Sequence, residues 1–120
     1  MKTIIAAFGI FAFGAVLYTA VPADTEKAYS GLCVTEYNAS FNSKNSVPWI
    51  EELTDCKGMR VDIIEDPTAQ MENKIVVVPT IIIFNEGEEV KRYQANIMME
   101  CEVTQAEIQV DIDEIILSEF

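Results

Sequence analysis

Three thiols, Cys33, Cys56 and Cys101, are the residues in this chain best suited to redox or soft-metal chemistry. They are scattered, and none stands in a Cys-x-x-Cys pair. Histidine is absent, which removes the usual general base near neutral pH and the commonest zinc ligand. A zinc site would need all three thiols and a carboxylate, without the paired spacing such sites use. No metal and no cofactor is therefore expected. Twenty acids face eight bases, for a net charge of -12. A phosphate backbone is repelled by such a surface, so nucleic acid is excluded as a partner class. Glu100, Glu102, Glu107, Asp111, Asp113 and Glu114 form an acidic C-terminal group. It reads as a solvated helix face, with low-affinity cation binding as the sharper alternative. Asn38-Ala39-Ser40 matches an N-glycosylation sequon, a pattern common by chance.

These residues need a scaffold, and 120 residues suffice for one domain of roughly 100 residues. Lys2 precedes an apolar run from Ile4 to Val21, broken only by Tyr18 and Thr19. As a helix of roughly 18 residues it would span about 27 Å, just enough for a bilayer core. Three readings stay open. One is a secretory signal peptide cleaved after Val21-Pro22-Ala23. The second is an uncleaved anchor, which makes the membrane a partner through residues 4–21, and the third is an apolar arm buried in a larger assembly. The first two place the domain on the non-cytoplasmic side, because the early positive charge precedes the apolar run. The division is 1–23 as leader or anchor and 24–120 as the folded domain.

Beyond it, Asp24–Tyr29 reads as a short helix or linker, and Leu32–Tyr37 as a strand. A polar turn follows over Asn38–Ser46. Val47–Leu53 reads as a helix with Pro48 in its first turn, where a missing N–H costs little. Arg60–Ile64 is a second strand, and a short helical stretch runs through Ala69–Asn73. Ile75–Phe84, β-branched and apolar on both faces, reads as one central strand. Asn85–Glu88 turns into a partner strand, Glu89–Gln94. Thr104-Gln105-Ala106-Glu107 is a capping box. It opens a helix with Ile108, Ile112, Ile115 and Ile116 on one face. Strands alternating with helices and then a hairpin argue for a helix-flanked mixed sheet.

With Val78-Pro79-Thr80 ahead of Ile81-Ile82-Ile83-Phe84 and Asn85-Glu86-Gly87, this order resembles the thioredoxin family. Arg60-Val61-Asp62-Ile63 and Glu65-Asp66-Pro67 resemble that family's next strand and turn. The likeness covers roughly Leu32–Tyr93, with the last helix added by order. It implies a three-layer α/β thioredoxin-like fold, with about four strands in a mixed sheet flanked by helices. An N-terminal hydrophobic helix would be added to it, and Pro79 would follow a cis peptide bond.

The family's chemistry lies in an aromatic-Ala-x-Trp-Cys-x-x-Cys turn. The matching stretch here is Tyr37 to Asn45, with Phe41, Asn42, Ser43, Lys44 and Asn45 as its core and Asn42 and Asn45 at the cysteine positions. A shifted register would put Ser40 and Ser43 there instead. Neither side chain can exchange a disulfide. The resemblance also implies a Glu36–Arg60 ion pair, a Cys33–Cys56 disulfide in an exported domain, and Cys101 as a lone thiol. Such a disulfide would add about 2–4 kcal/mol of stability. A partner would dock in a groove formed by Val78, Pro79, Thr80, Ile97, Met98 and Met99.

The first functional expectation is a redox-inactive interaction or structural module, membrane-anchored or exported, with a protein partner or a larger assembly. A second is an atypical thiol-disulfide oxidoreductase using Cys101 or a Cys33/Cys56 couple. A third is an acidic cation-binding protein.

Overall fold

The computed structural model describes residues 31–119. The apolar segment, the boundary near residue 23 and the stretch Asp24–Tyr29 lie outside them. Among the described residues no helix is long and apolar enough to cross a membrane.

Four strands form one mixed sheet: β1 (Leu32–Asn38), β2 (Lys57–Asp62), β3 (Thr80–Asn85) and β4 (Glu88–Gln94), in the order β2-β1-β3-β4. β1 runs parallel to β2 and antiparallel to β3, and β4 runs antiparallel to β3. The described residues also form helix α1 (Pro67–Glu72), helix α2 (Gln105–Ser118) and two 3-10 helices, Ser40–Asn45 and Ile50–Glu52.

Alternation along the strands separates two cores. On one face Leu32, Val34, Ile81 and Ile83 pack with Ile50, Leu53, Cys56, Ile108 and Ile112. On the other, Tyr37 and Ile82 pack with Ala39, Ile63, Ile75 and Val78. Each fully buried isoleucine contributes roughly 1.5–3 kcal/mol of transfer free energy. α2 supplies Ile108 and Ile112 to the first core, with Ile115 and Ile116 packed at its margin. Its start is fixed by the capping box: Thr104 Oγ1 accepts from the Glu107 amide at 3.2 Å, and Glu107 Oε1 accepts from the Thr104 amide at 2.9 Å. The β3–β4 hairpin turns through Glu86 (φ 55) and Gly87 (φ 84), the left-handed pair that a two-residue hairpin requires.

Two elements differ from the sequence expectation. Val47–Leu53 forms no α-helix, only the 3-10 turn Ile50–Glu52. The Val47 amide donates to Glu36 Oε2 at 2.8 Å, and the Val47 carbonyl accepts from Arg60 at 2.8 Å. The Val47 carbonyl, which a helix over 47–53 would offer to the amide four residues on, bonds to Arg60 instead. Gly58 records how closely this turn approaches β2: a Cβ there would lie 2.2 Å from the Ile50 carbonyl oxygen. The central strand begins at Thr80, not Ile75. Pro79 has no N–H for a ladder, the Val78–Pro79 bond is cis, and the Ile75 amide bonds back to Gln70 at the end of α1.

Candidate functional site

At the C-terminal end of β1 the chain enters the 3-10 helix Ser40–Asn45, kinked at Asn42 (φ -115, ψ 21). Asn42 is 4% exposed. Its side-chain amide faces three acceptors: Asn38 Oδ1 at 3.2 Å, the Met99 carbonyl at 3.2 Å and the Val78 carbonyl at 3.4 Å. Its own oxygen accepts from Asn45 Nδ2 at 2.9 Å. One asparagine thus joins the turn, the loop before β3 and the loop after β4.

Asn38 continues the network, donating to the Asn42 carbonyl at 3.2 Å and to Ser46 Oγ at 2.8 Å. Its amide is therefore buried and committed, which takes the sequon at Asn38 out of use in the folded protein.

The other two loops aim apolar side chains outward. Asn96 Oδ1 accepts from the amides of Met98 (2.8 Å) and Glu100 (3.2 Å), and Met99 adopts φ 61. That turn leaves Ile97 98% exposed and Met98 68% exposed. On the opposite wall, Thr80 Oγ1 donates to the Val77 carbonyl at 2.7 Å and folds Val76 and Val77 into an exposed apolar loop. Phe41, Ile63, Ile64, Ile75, Val76, Val77, Ile97 and Met99 enclose a groove of about 470 Å³. Of the expected groove residues, Val78, Ile97 and Met99 line it, Met98 stands exposed beside it, and Pro79 and Thr80 are buried behind it. Phe41, from the turn, is the groove's aromatic wall, while Ser43 and Lys44 point to solvent.

Sequence reasoning missed Ile64, Val76 and Val77 because their apolar character read as strand core. Pro79, which ends any ladder running through it, was the available signal.

Behind the turn, Glu36 is 1% exposed and Arg60 Nη1 lies 2.6 Å from its Oε1. Arg60 also grips Glu51 through Nε (2.8 Å) and Nη2 (2.9 Å). Burial pushes the Glu36 carboxyl above its ordinary range, against the opposing pull of the Val47 amide and the Arg60 guanidinium. Beside this pair lies a second pocket of about 370 Å³, lined by Asn38, Ala39, Ser40, Ser43, Ser46, Val61, Asp62 and Glu65 as well as the pair itself.

The cysteines correct one expectation. Cys33, Cys56 and Cys101 are all free, so the Cys33–Cys56 disulfide and the couple built on it do not form. Parity along β1 explains this. Cys33 falls on the same face as Thr35, whose Oγ1 its sulfur meets at 3.4 Å, and as Tyr37. Cys56 belongs to the core on the opposite face. Burial pushes the Cys56 thiol up to about 11, and Cys101, half-buried with its sulfur near the Tyr93 carbonyl, is also raised by burial. Both stay protonated at neutral pH, the unreactive form.

Four of the six carboxylates of the acidic group are individually engaged: Asp111 by Lys91 and Tyr93, Glu102 by Asn96, Asp113 by Gln109 and Glu107 by the helix cap. Among the described residues no cluster of three acidic or thiol groups is placed to hold a metal ion.

No family model matches the sequence, and no curated protein matches it. Solved thioredoxins match the structure. A variant thioredoxin from Halobacterium salinarum superposes with a TM-score of 0.59 at 17% identity, over 80% of this chain and 84% of that one. Thioredoxin from Schistosoma mansoni gives 0.57 at 19% identity, over 78% and 85%. A thioredoxin from Nicotiana alata gives 0.56 at 19% identity, over 78% and 82%. The chain has the thioredoxin-like α/β fold, in a divergent form without a cysteine pair at disulfide distance.

Proposed function

We propose that this thioredoxin-fold domain is a redox-inactive interaction module that docks a protein partner in the groove beside Pro79. The observation that carries the reading is the groove itself: an open apolar channel walled by Phe41, Ile64, Val76 and Ile97, next to a turn knitted by Asn42 and Asn45. By the resemblance, those asparagines hold the places of the family's cysteines, so the turn offers hydrogen bonds where thioredoxins offer sulfur. Exposed apolar channels of this kind mark interaction sites. Fold alone carries no function; the argument rests on the groove.

The domain would be held at a membrane or exported by residues 1–23, on the non-cytoplasmic side, as a free binder or as a subunit of an assembly. A redox reading through Cys101 has against it a half-buried thiol raised by its surroundings. A cation-binding reading has against it carboxylates already engaged by neighbours.

The test is site-specific photocrosslinking of the native full chain. A photoreactive residue at position 41 or 97 is expected to capture the same neighbour, absent when the probe replaces Val110, an exposed residue on α2. Equal capture at all three positions, or none at 41 and 97, rejects the reading. N-terminal sequencing of the same material reports whether residues 1–23 are retained.

A further inference from the structure

We propose that, away from a membrane and a partner, the groove is filled by the chain's own apolar segment, with Val16–Val21 seated between Phe41 and Ile97. The inference rests on the groove reading and adds the regulation of that site: a partner enters once this segment has been drawn into a bilayer or removed.

Every residue lining the groove is apolar except the neutral amides Gln70 and Asn96. Asn96 is committed to its own loop, accepting from the Met98 and Glu100 amides and donating to Glu102. A charged side chain entering the groove would lose its water without meeting a counter-charge. The chain itself holds an occupant that meets this requirement. Ile4–Val21 carries no charged residue, in a sequence where charged residues make up 23%. The tether is long enough to bring it there. β1 runs from Leu32, at the far end of the sheet, to Asn38 at the groove end, about 20 Å at roughly 3.3 Å per residue. Residues 22–30 join the segment to Gly31. Fully extended they span about 30 Å, which carries Val21 to the groove. A ligand tethered in this way is present at an effective concentration on the order of millimolar. A modest apolar contact then holds it in place, and a partner's segment must compete with it.

The test is photocrosslinking of the purified full chain in buffer, without lipid or partner. The photoreactive residue stands at position 97, with position 110 on α2 as the control. Unlabelled probe chain is mixed with isotope-labelled chain that has no probe. Tryptic mapping is expected to find position 97 joined to the peptide Thr3–Lys27 of the same, unlabelled chain, and position 110 not joined to it. Leu17→Glu puts a charge into the segment and should abolish the adduct; Leu17 lies outside residues 31–119, so the change alters no side chain of the described fold. An adduct that survives Leu17→Glu overturns the proposal. So does an adduct to the labelled peptide, which would put a second copy's segment in the groove. If position 97 captures no Thr3–Lys27 in the purified chain but still captures a neighbour in native material, the proposal falls and the groove reading stands. Capture of nothing in either preparation rejects both.

Discussion

The side-chain amide of Asn42 reaches the carbonyl of Val78, thirty-six residues further along the chain. It meets the Met99 carbonyl from the same buried position. The contact ties the turn after β1 to both loops that wall the groove, so site geometry and local stability depend on one residue. Asn42→Ala leaves buried carbonyls without their donor, at about 1–3 kcal/mol. Asn42→Asp is isosteric but sets a carboxylate against the same carbonyls, and is expected to be costlier, at roughly 3–5 kcal/mol. Urea unfolding monitored at Trp49 measures both. Equal stability of Asn42→Asp and wild type would show that the network contributes nothing.

Asn45 Nδ2 lies 2.9 Å from Asn42 Oδ1, so the two side chains already converge three residues apart. The N42C/N45C variant is expected to oxidise to a disulfide in a glutathione buffer, with an intact mass lighter by two hydrogens. It should remain a poor catalyst of insulin reduction. A six-residue, kinked 3-10 helix offers less N-terminal field to a thiolate than a regular helix does. Two free thiols after oxidation would mean that the backbone here no longer supports the bridge.

Much of the scaffold was legible because local chemistry and tertiary packing agree. Thr104-Gln105-Ala106-Glu107 caps α2 as its pattern requires, and Ile108 and Ile112 face the core. Glu86-Gly87 turns the hairpin. What was illegible depends on partners distant in sequence. No window around Val47 reveals that Arg60 takes the carbonyl that a helix there would use. Val76 and Val77 carry strand-like side chains but lie in the groove wall, since Pro79 has no N–H to give a ladder and the Ile75 amide is tied back to α1. The disulfide expectation failed on information the sequence does hold: the period-two alternation of β1 sets Cys33 on Tyr37's side, away from Cys56.

All three thiols are free, so alkylation in denaturant without reductant should modify three cysteines. In the folded protein near neutral pH, Cys56 should resist iodoacetamide. It is 2% exposed and its thiol is pushed up to about 11 by burial; both effects remove the reactive thiolate. Peptide mapping after timed alkylation measures this directly. Labelling of Cys56 as fast as in denaturant would contradict its place in the core.

Glu36 gives the last expectation a sign. Its folded carboxyl titrates above the ordinary value of 4.5, because burial outweighs the Val47 amide and the Arg60 guanidinium. The protonated acid is therefore favoured in the fold relative to the unfolded chain. Its contribution to stability is fully present below pH 4.5 and is lost as pH rises through the folded value. Glu36→Gln stays neutral and cannot lose it. The variant's stability relative to wild type should therefore improve as pH rises from 4.5 through the folded value, and level off above it. Taking the difference between the two proteins at each pH cancels the titration of the other carboxylates. Thermal melts of both across that range test the sign. If wild type instead gains on Glu36→Gln as pH rises, then the bond to Arg60, 2.6 Å long, outweighs burial and the ionised pair stabilises the fold.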